Sequence, residues 1–567
     1  MKTHHAVTLK KCLLPLFFAA VFGLLTTGCR TYQQQNQVIM YWHQGNMTNA
    51  VAEATKMANK NETGKDAIIW HLEQGAVLRG AGKYEESNKV FDEAQGRIDQ
   101  YSQEAKVKVG AEAGALFSNQ ANLPYRGRSY DGIMLNTYKA LNYLQLGEPD
   151  KARVELIRAY QRQQEAVEDN QKRIAKVQAE VDASTNKAAI DKAQEDPKFK
   201  SQMQGAYTNF DNLKPYADYV NPFTVYLDGL FFMANAADAS DLERAHKSLE
   251  RVVSFDPNNE YVKQDLATVD SLIQGKPLAP TTYVIFETGC APVRDQVRID
   301  IPILVAKVSY VGAAFPTLKP EGNYLPSLAV TANVVTMSTN LTATASDTIV
   351  TASGTTTVTN ETTVTVSTTT TATNDAGATV TSTTATTNET AVAANGTTSA
   401  TNDPAVIANS TTTTTVNSTT VTTNNLAATT SLVASMDSVI GLDFKNDMPV
   451  VITKTIAATV AKAVAAYALN DAANQQGAVY GLISMIGTGI YQAAVNIADE
   501  RTWTTLPKEF QVCRIPTPPD RKLELEVPGP GGTQKIPVTI GDGTINIVYV
   551  KSITAASPLL VTQMKLK

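Results

Sequence analysis

From Pro320 to Phe444 the chain contains no lysine or arginine, and between Tyr324 and Phe444 it contains no aromatic residue. Within that stretch Asp347, Glu361, Asp375, Glu389 and Asp403 stand fourteen residues apart, and four of them close Thr-Asn-acid triplets at 359–361, 373–375, 387–389 and 401–403. A tandem array so poor in large apolar side chains cannot offset, by burial, the entropy of ordering its own backbone. Any core in the 567-residue chain must therefore come from the flanking segments. Residues 331–432 are expected to be a disordered, Thr-rich low-complexity insertion. Thr and Val favour strands, so local hairpins are compatible with the composition. The hydroxyl density, with "DTI" at 347–349 and "DSV" at 437–439, also suits O-glycosylation.

The N-terminal flank, residues 29–275, has helical periodicity with recurring punctuation. In "IIWHLEQGAVLRGAGKYEESNKVFDEA", Gly75, Gly82, Tyr84, Phe91 and Ala94 stand at the offsets of a tetratricopeptide repeat, a helical hairpin of 34 residues. The small residues let two helices approach, and Phe91 is expected to fill the space between them. The same offsets recur at Ala140, Tyr143, Gly147, Ala152 and Ala159. A third unit keeps Gly229, Ala245, Leu249, Val252 and Pro257, and a weaker one keeps Gly45, Ala50 and Ala54. Such units bury a continuous core only by stacking, which predicts a short solenoid with a concave face. That face either binds a partner segment through residues near 70–80 and 136–146, or is filled by the chain itself. The charged run near 160–205 reads as an extended, solvated helical arm.

Beyond residue 276 the pattern becomes β-branched and alternating, in "TTYVIFETG" and "VRIDIPILVAKVSYV" and again in "EFQVCRI", "KLELEVPGPGG" and "TINIVYVKSI". This predicts an α+β domain with an antiparallel meander, its first part at 276–330 and its second at 433–567. Within the second part, ahead of "EFQVCRI", Ile456, Val460, Val464 and Tyr467 fall on one helical face and Leu482, Ile486 and Ile490 on another. A close-packed helix pair covering the sheet is expected. Residues 472–498 are uncharged, yet Asn474, Gln475, Gln476, Gln492 and Asn496 make them a poor membrane span.

Lys2, Lys10 and Lys11, a short apolar run and "TTGC" at 26–29 read as a secretory signal over residues 1–28, with Cys29 as the lipid-modified first residue of the mature chain. Thr26 stands where such signals usually carry leucine; ordinary secretion would leave Cys29 a spare thiol. Removing residues 1–28 takes three Lys and no acid, so the formal net charge moves from −5 to −8, and nucleic acid is not an expected partner. Cys290 and Cys513 then remain, and in an oxidising compartment they either close a disulfide or stay as separate buried thiols. His43, His71 and His246 lie in no zinc-protease motif. No nucleophile elbow or phosphate-cradling loop is present, and "GPGG" at 529–532 reads as a turn. Catalytic residues, metal and cofactor are all expected to be absent.

The phrases "YDGIMLNTYKALNYLQLGEPDKARVELIRA", "NPFTVYLDGL", "VIFETGCAPVRDQVRIDIPI" and "RTWTTLPKEFQVCRIPTPPD" together resemble a family of uncharacterised bacterial lipoproteins with tetratricopeptide-like repeats. The resemblance covers most of residues 66–330 and 436–553, and the Thr-rich insertion departs from it. It implies an envelope protein, often encoded near lipoproteins that activate penicillin-binding proteins, and it supplies no catalytic residues. The expected function is that of a non-enzymatic periplasmic adaptor, lipid-anchored at the outer membrane, binding envelope proteins through the repeat groove. The alternatives are a cell-wall glycan-binding protein, activator or enzyme working through the α+β domain, and a structural surface lipoprotein.

Overall fold

The computed structural model describes residues 30–107, 120–208, 213–216, 219–303, 309–350, 381–390, 408–475, 498–529 and 532–567. The expected signal segment, residues 1–28, and Cys29 lie outside them. So do residues 476–497, the second member of the expected helix pair, and the triplets at 359–361, 373–375 and 401–403.

The protein is of mixed α and β class, with helices in its N-terminal half and antiparallel and mixed sheets towards its C-terminus. The helices are α1 (Arg30–His43), α2 (Met47–Lys60), α3 (Ala67–Gly80), α4 (Tyr84–Val107), α5 (Ser129–Gln145), α6 (Pro149–Asp182), α7 (Lys187–Glu195), α8 (Pro197–Ala206), α9 (Pro222–Ala234), α10 (Ala239–Phe255) and α11 (Glu260–Ile273). Their starts follow from local chemistry. Asn221, Asp238 and Asn259 accept backbone N–H groups in the first turns of α9, α10 and α11, and proline opens α6, α8 and α9 where no N–H is needed. A second long helix, α12 (Met436–Gln475), follows the Thr-rich segment and has Pro449 in its interior.

One sheet has the strand order β12-β11-β1-β8-β7, built from β1 (Thr281–Thr288), β7 (Ser431–Ser435), β8 (Glu509–Pro516), β11 (Ile545–Ser552) and β12 (Leu560–Lys565). All eight residues of β1 are buried, as expected of a central strand covered on both faces. Its pairing with β11 is parallel and with β8 antiparallel, so the sheet is mixed and the expected meander is incorrect. The hairpin of β9 (Lys522–Gly529) and β10 (Gly532–Thr539) belongs to a second sheet, and the chain then crosses back to place β11 beside β1. In β9 the alternation holds: Leu523, Leu525 and Val527 are buried, while Glu524 and Glu526 lie at the surface side.

The Thr-rich segment carries strands where disorder was expected: β4 (Ala329–Val350), β5 (Thr381–Thr390) and β6 (Ala408–Thr429). Pairing of β4 with β6 runs from Ala329↔Thr429 to Val350↔Ala408, and β9 joins β4 over Ala329–Ala332. Strand pairing satisfies backbone groups without a core, which a composition argument about burial does not weigh.

Two hydrophobic cores result. The larger runs from Val38 and Trp42 through α3, α5, α9 and β1 to Leu566, so helices and main sheet share it. The smaller joins Val177 and Val181 of α6, Ile190 and Ala193 of α7 and Phe199 of α8 to Ile299, Ile301, Val311 and Phe315 of the hairpin β2 (Val293–Ile303) and β3 (Ser309–Lys319), and to Val450, Ile456 and Val460 of α12. The charged arm is therefore helical but not simply solvated, and α12 packs on this hairpin and the arm.

Candidate functional site

Some of the residues expected to pack the hairpins lie between helices, and others lie in the turns or at the surface. A Cβ on Gly75 would lie 2.4 Å from the Phe91 ring, and Ser87 Oγ donates to the Gly75 carbonyl at 2.7 Å. Phe91, Ala94, Ala140, Ala152 and Ala159 are fully buried. Gly82 and Gly147 take φ of +75° and +72° in the turns between helices, a conformation that suits glycine. Tyr84 is half-buried, and Tyr143, also half-buried, has Lys151 Nζ 5.5 Å from its ring centre.

The faces near 70–80 and 136–146 do not form an open groove, which corrects the expected recognition mode. Ala67 to Arg79 of α3 are buried without interruption, as is Tyr130 to Asn142 of α5, because the chain's own sheet and the segment before β8 lie against them. Trp503 stands edge-on to both Phe91 and Tyr138, with ring centres 5.9 Å away in each case. Glu287 of β1 accepts from Tyr138 Oη at 2.8 Å, Tyr549 Oη at 2.5 Å and Lys551 Nζ at 2.6 Å. Arg79 lies over the rings of Tyr138 and Tyr549 at 5.2 and 4.9 Å. Burial opposes ionisation of Glu287, but Lys551 and Arg79 outweigh it and hold the carboxyl below its ordinary range.

Glu73 forms the neighbouring joint. It accepts the N–H and O–H of Thr504, each at 2.6 Å, and the Thr505 O–H at 2.8 Å. Burial pushes Glu73 up to about 7 despite these donors, since none carries a full charge. A third joint ties α9 and α11 to the sheet. Asp265 accepts from Tyr226 Oη at 2.9 Å and Tyr283 Oη at 2.6 Å, with Arg514 Nε 3.0 Å away, and burial raises it to about 6.

Where the two cores meet, the seam is ionic. Asp447 of α12 receives Arg128 at 3.2 Å and Arg173, and lies 3.8 Å from Arg294; Asp443 lies 3.9 Å from Arg294. Asp499 pairs with Arg501 at 2.7 Å, and Arg501 reaches Asp66 at 2.9 Å. Burial works against Asp447 and Asp499, yet the arginines hold both below the ordinary carboxylate range, Asp499 at about 2.

Cys290 and Cys513 are both free and buried, so no disulfide joins them. The register explains why: Cys513 faces Val284, and Cys290 lies beyond the end of β1, which sets them on the order of 15–20 Å apart at the strand rise. Cys290 Sγ is 3.5 Å from His43 Nε2, a pairing across 247 positions that no spacing in the sequence discloses. Burial raises both thiols to about 12 and lowers His43, so this pair favours its neutral forms and not an activated thiolate. His71 and His246 stand 3.2 Å from Glu93 and Asp270. Among the described residues no group of three or more His, Cys, Asp or Glu is placed to hold a metal ion, and no helix is long and apolar enough to cross a membrane.

Comparison with protein-family models, with curated proteins and with solved structures found no match to this chain.

Proposed function

We propose that the protein is a non-enzymatic adaptor of the bacterial cell envelope, lipid-anchored through Cys29 at the periplasmic face of the outer membrane, with helical hairpins of the tetratricopeptide type. The observation that carries this reading is the joint between helices and sheet. The buried ionisable groups there, Glu73, Arg79, Glu287 and Lys551, are engaged with other residues of the same chain and hold two halves together. Such use of charge builds a rigid platform. Because the inner faces of α3 and α5 are covered, the partner-binding surface lies on the outward sides of α2, α4 and α6.

Crosslinking in living cells, followed by recovery through a C-terminal tag, tests the reading against a Cys29→Ala control. A discrete envelope protein that is recovered with the native chain and lost with the control is the expected result. Charge reversal on exposed α4 residues, Glu86→Arg with Lys89→Glu, should reduce its recovery while leaving the melting temperature unchanged. Full recovery would move the binding surface elsewhere.

A second reading, a structural surface lipoprotein, has its own support in β4 and β6. Their pairing continues for 22 residues while β9 covers the first four, so the ladder runs roughly 70 Å at the strand rise. Shaving whole cells with a protease other than trypsin tests this, since residues 320–444 contain no trypsin site.

A further inference from the structure

α1 and α3 run parallel in a fixed register. Gln35 Nε2 lies 3.5 Å from Glu73 Oε1, and seven residues further along both helices a Cβ on Gly80 would meet the Trp42 ring at 2.9 Å. The same offset sets Arg30, the first described residue of α1, level with Ile68 in the first turn of α3. Around that level Arg501 joins Asp66 and donates to the Leu123 carbonyl at 2.8 Å, Lys65 Nζ donates to the Ala121 carbonyl at 2.6 Å, and Gln35 donates to the Thr502 carbonyl at 3.2 Å. At the other end Thr554 Oγ1 donates to the His43 carbonyl at 3.3 Å, and Trp42 is buried with Lys551 Nζ 4.5 Å from its ring. The first helix is therefore fastened from Gln35 to His43. Its described part starts at Arg30, the residue that follows Cys29 in the sequence, and Gln35 is buried. The five helical steps from Arg30 to Gln35 correspond to about 7.5 Å.

The smaller core projects in the same direction. Asn142 donates to Ser87 at 3.0 Å and Asn136 to Gln95 at 3.2 Å, so α5 runs antiparallel to α4 and parallel to α3, and the first turn of α5 is level with Arg162, because a Cβ on Gly132 would lie 3.1 Å from Arg162 Cδ. From there α6 continues to Asp182, roughly 30 Å further at the helical rise. The turns at Gly45, Gly82 and Gly147 all lie at the opposite end.

We propose that the end of the molecule at which α1 begins is its membrane-facing surface: with Cys29 lipid-modified, α1 is a rigid bracket that holds the lobe of α7, α8 and the β2–β3 hairpin toward the phospholipid headgroups and points the turns at Gly45, Gly82 and Gly147 away from the bilayer. The proposal rests on the lipid-anchor reading. It adds an orientation, which a lipid on a flexible leader would not impose.

The test uses the mature acylated chain in vesicles of phosphatidylethanolamine and phosphatidylglycerol carrying a headgroup acceptor dye. Donors are attached singly at Lys187→Cys in the lobe, and at Glu85→Cys and Asp150→Cys beside the far turns; the native Cys290 and Cys513 are buried. Energy transfer should place Lys187 nearest the bilayer and the other two farther by roughly 20 Å or more, the length of α3 at the helical rise. Ten Gly/Ser residues inserted between Cys29 and Arg30 should erase the difference. Equal transfer at all three sites, a reversed order, or a difference that survives the insertion overturns the proposal. The mass of the N-terminal peptide is read separately. An unmodified Cys29 sinks the anchor reading and this proposal together, whereas an acylated Cys29 with uniform transfer sinks the orientation alone.

Discussion

Single residues in this protein divide by how far their partners lie along the chain. Gly75 meets Phe91 sixteen positions on, and the need for a small residue there was legible from repeat offsets alone. Gly75→Ala should cost about 1–3 kcal/mol in chemical denaturation, since the Phe91 ring is fully buried and has little room to move. Glu73, by contrast, drew no attention in the sequence, because its partners Thr504 and Thr505 are more than 400 positions away. Its carboxyl sits at about 7, raised above the unfolded range, so its stabilising contribution is complete at low pH and is lost as pH rises through about 7. Asp131 and Asp265, both raised by burial to about 6, act in the same direction. His43 and His71, lowered by burial, oppose them as pH falls through the ordinary histidine range. Glu73 should therefore add a downward component to the change in melting temperature from pH 6.5 to pH 8, and Glu73→Gln should remove that component. An unchanged slope in the variant would reassign it to other groups.

At the scale of elements, the two long helices cross between the cores in different ways. No residue of α6 from Val167 to Lys176 is buried, and in α12 Pro449 falls between Ile440 of the larger core and Val450 of the smaller. The seam holds because Asp447 serves three arginines, one of which, Arg294, is 1% exposed. Asp447→Asn should destabilise by about 3–5 kcal/mol, the range for stripping a buried cation of its partner. Limited trypsin digestion should then cut at Lys172 and Lys176 before the larger core melts; simultaneous loss of both cores would mean that the seam is not a weak point. The Thr-rich strands make the opposite prediction. Fourteen is an even number, so adding or removing one unit preserves which residues share a face. The melting temperature of the remainder should stay the same, and a shift would show that the array supports the fold.

At the scale of the whole molecule, the boundary near residue 275 separates styles of sequence but not units of folding. Tyr138, Trp503, Glu287 and Lys551 lie in one buried joint, and a single core runs from Val38 to Leu566. Residues 29–275 produced alone should aggregate or bind hydrophobic dyes, because α3 and α5 would expose faces that the sheet covers. Producing residues 276–567 alongside should restore a soluble complex. A well-folded 29–275 fragment would reinstate an open groove and with it the original recognition mode.

The sequence by itself determined the close approach of Gly75 and Phe91, the change from helices to strands near residue 276 and the in-out alternation of β9. All of these depend on neighbours within a turn, a hairpin or a strand pair, and such spacing is visible along the chain. Tertiary structure alone decided that β11 runs parallel beside β1, that Cys290 and Cys513 stay apart, that the charged arm contributes to a second core, and that the inner faces of α3 and α5 belong to the chain's own sheet. Each of these depends on pairing between segments hundreds of residues apart. Burial there converts ordinary glutamates, arginines and tyrosines into joints, and no local pattern distinguishes such residues from those left at the surface.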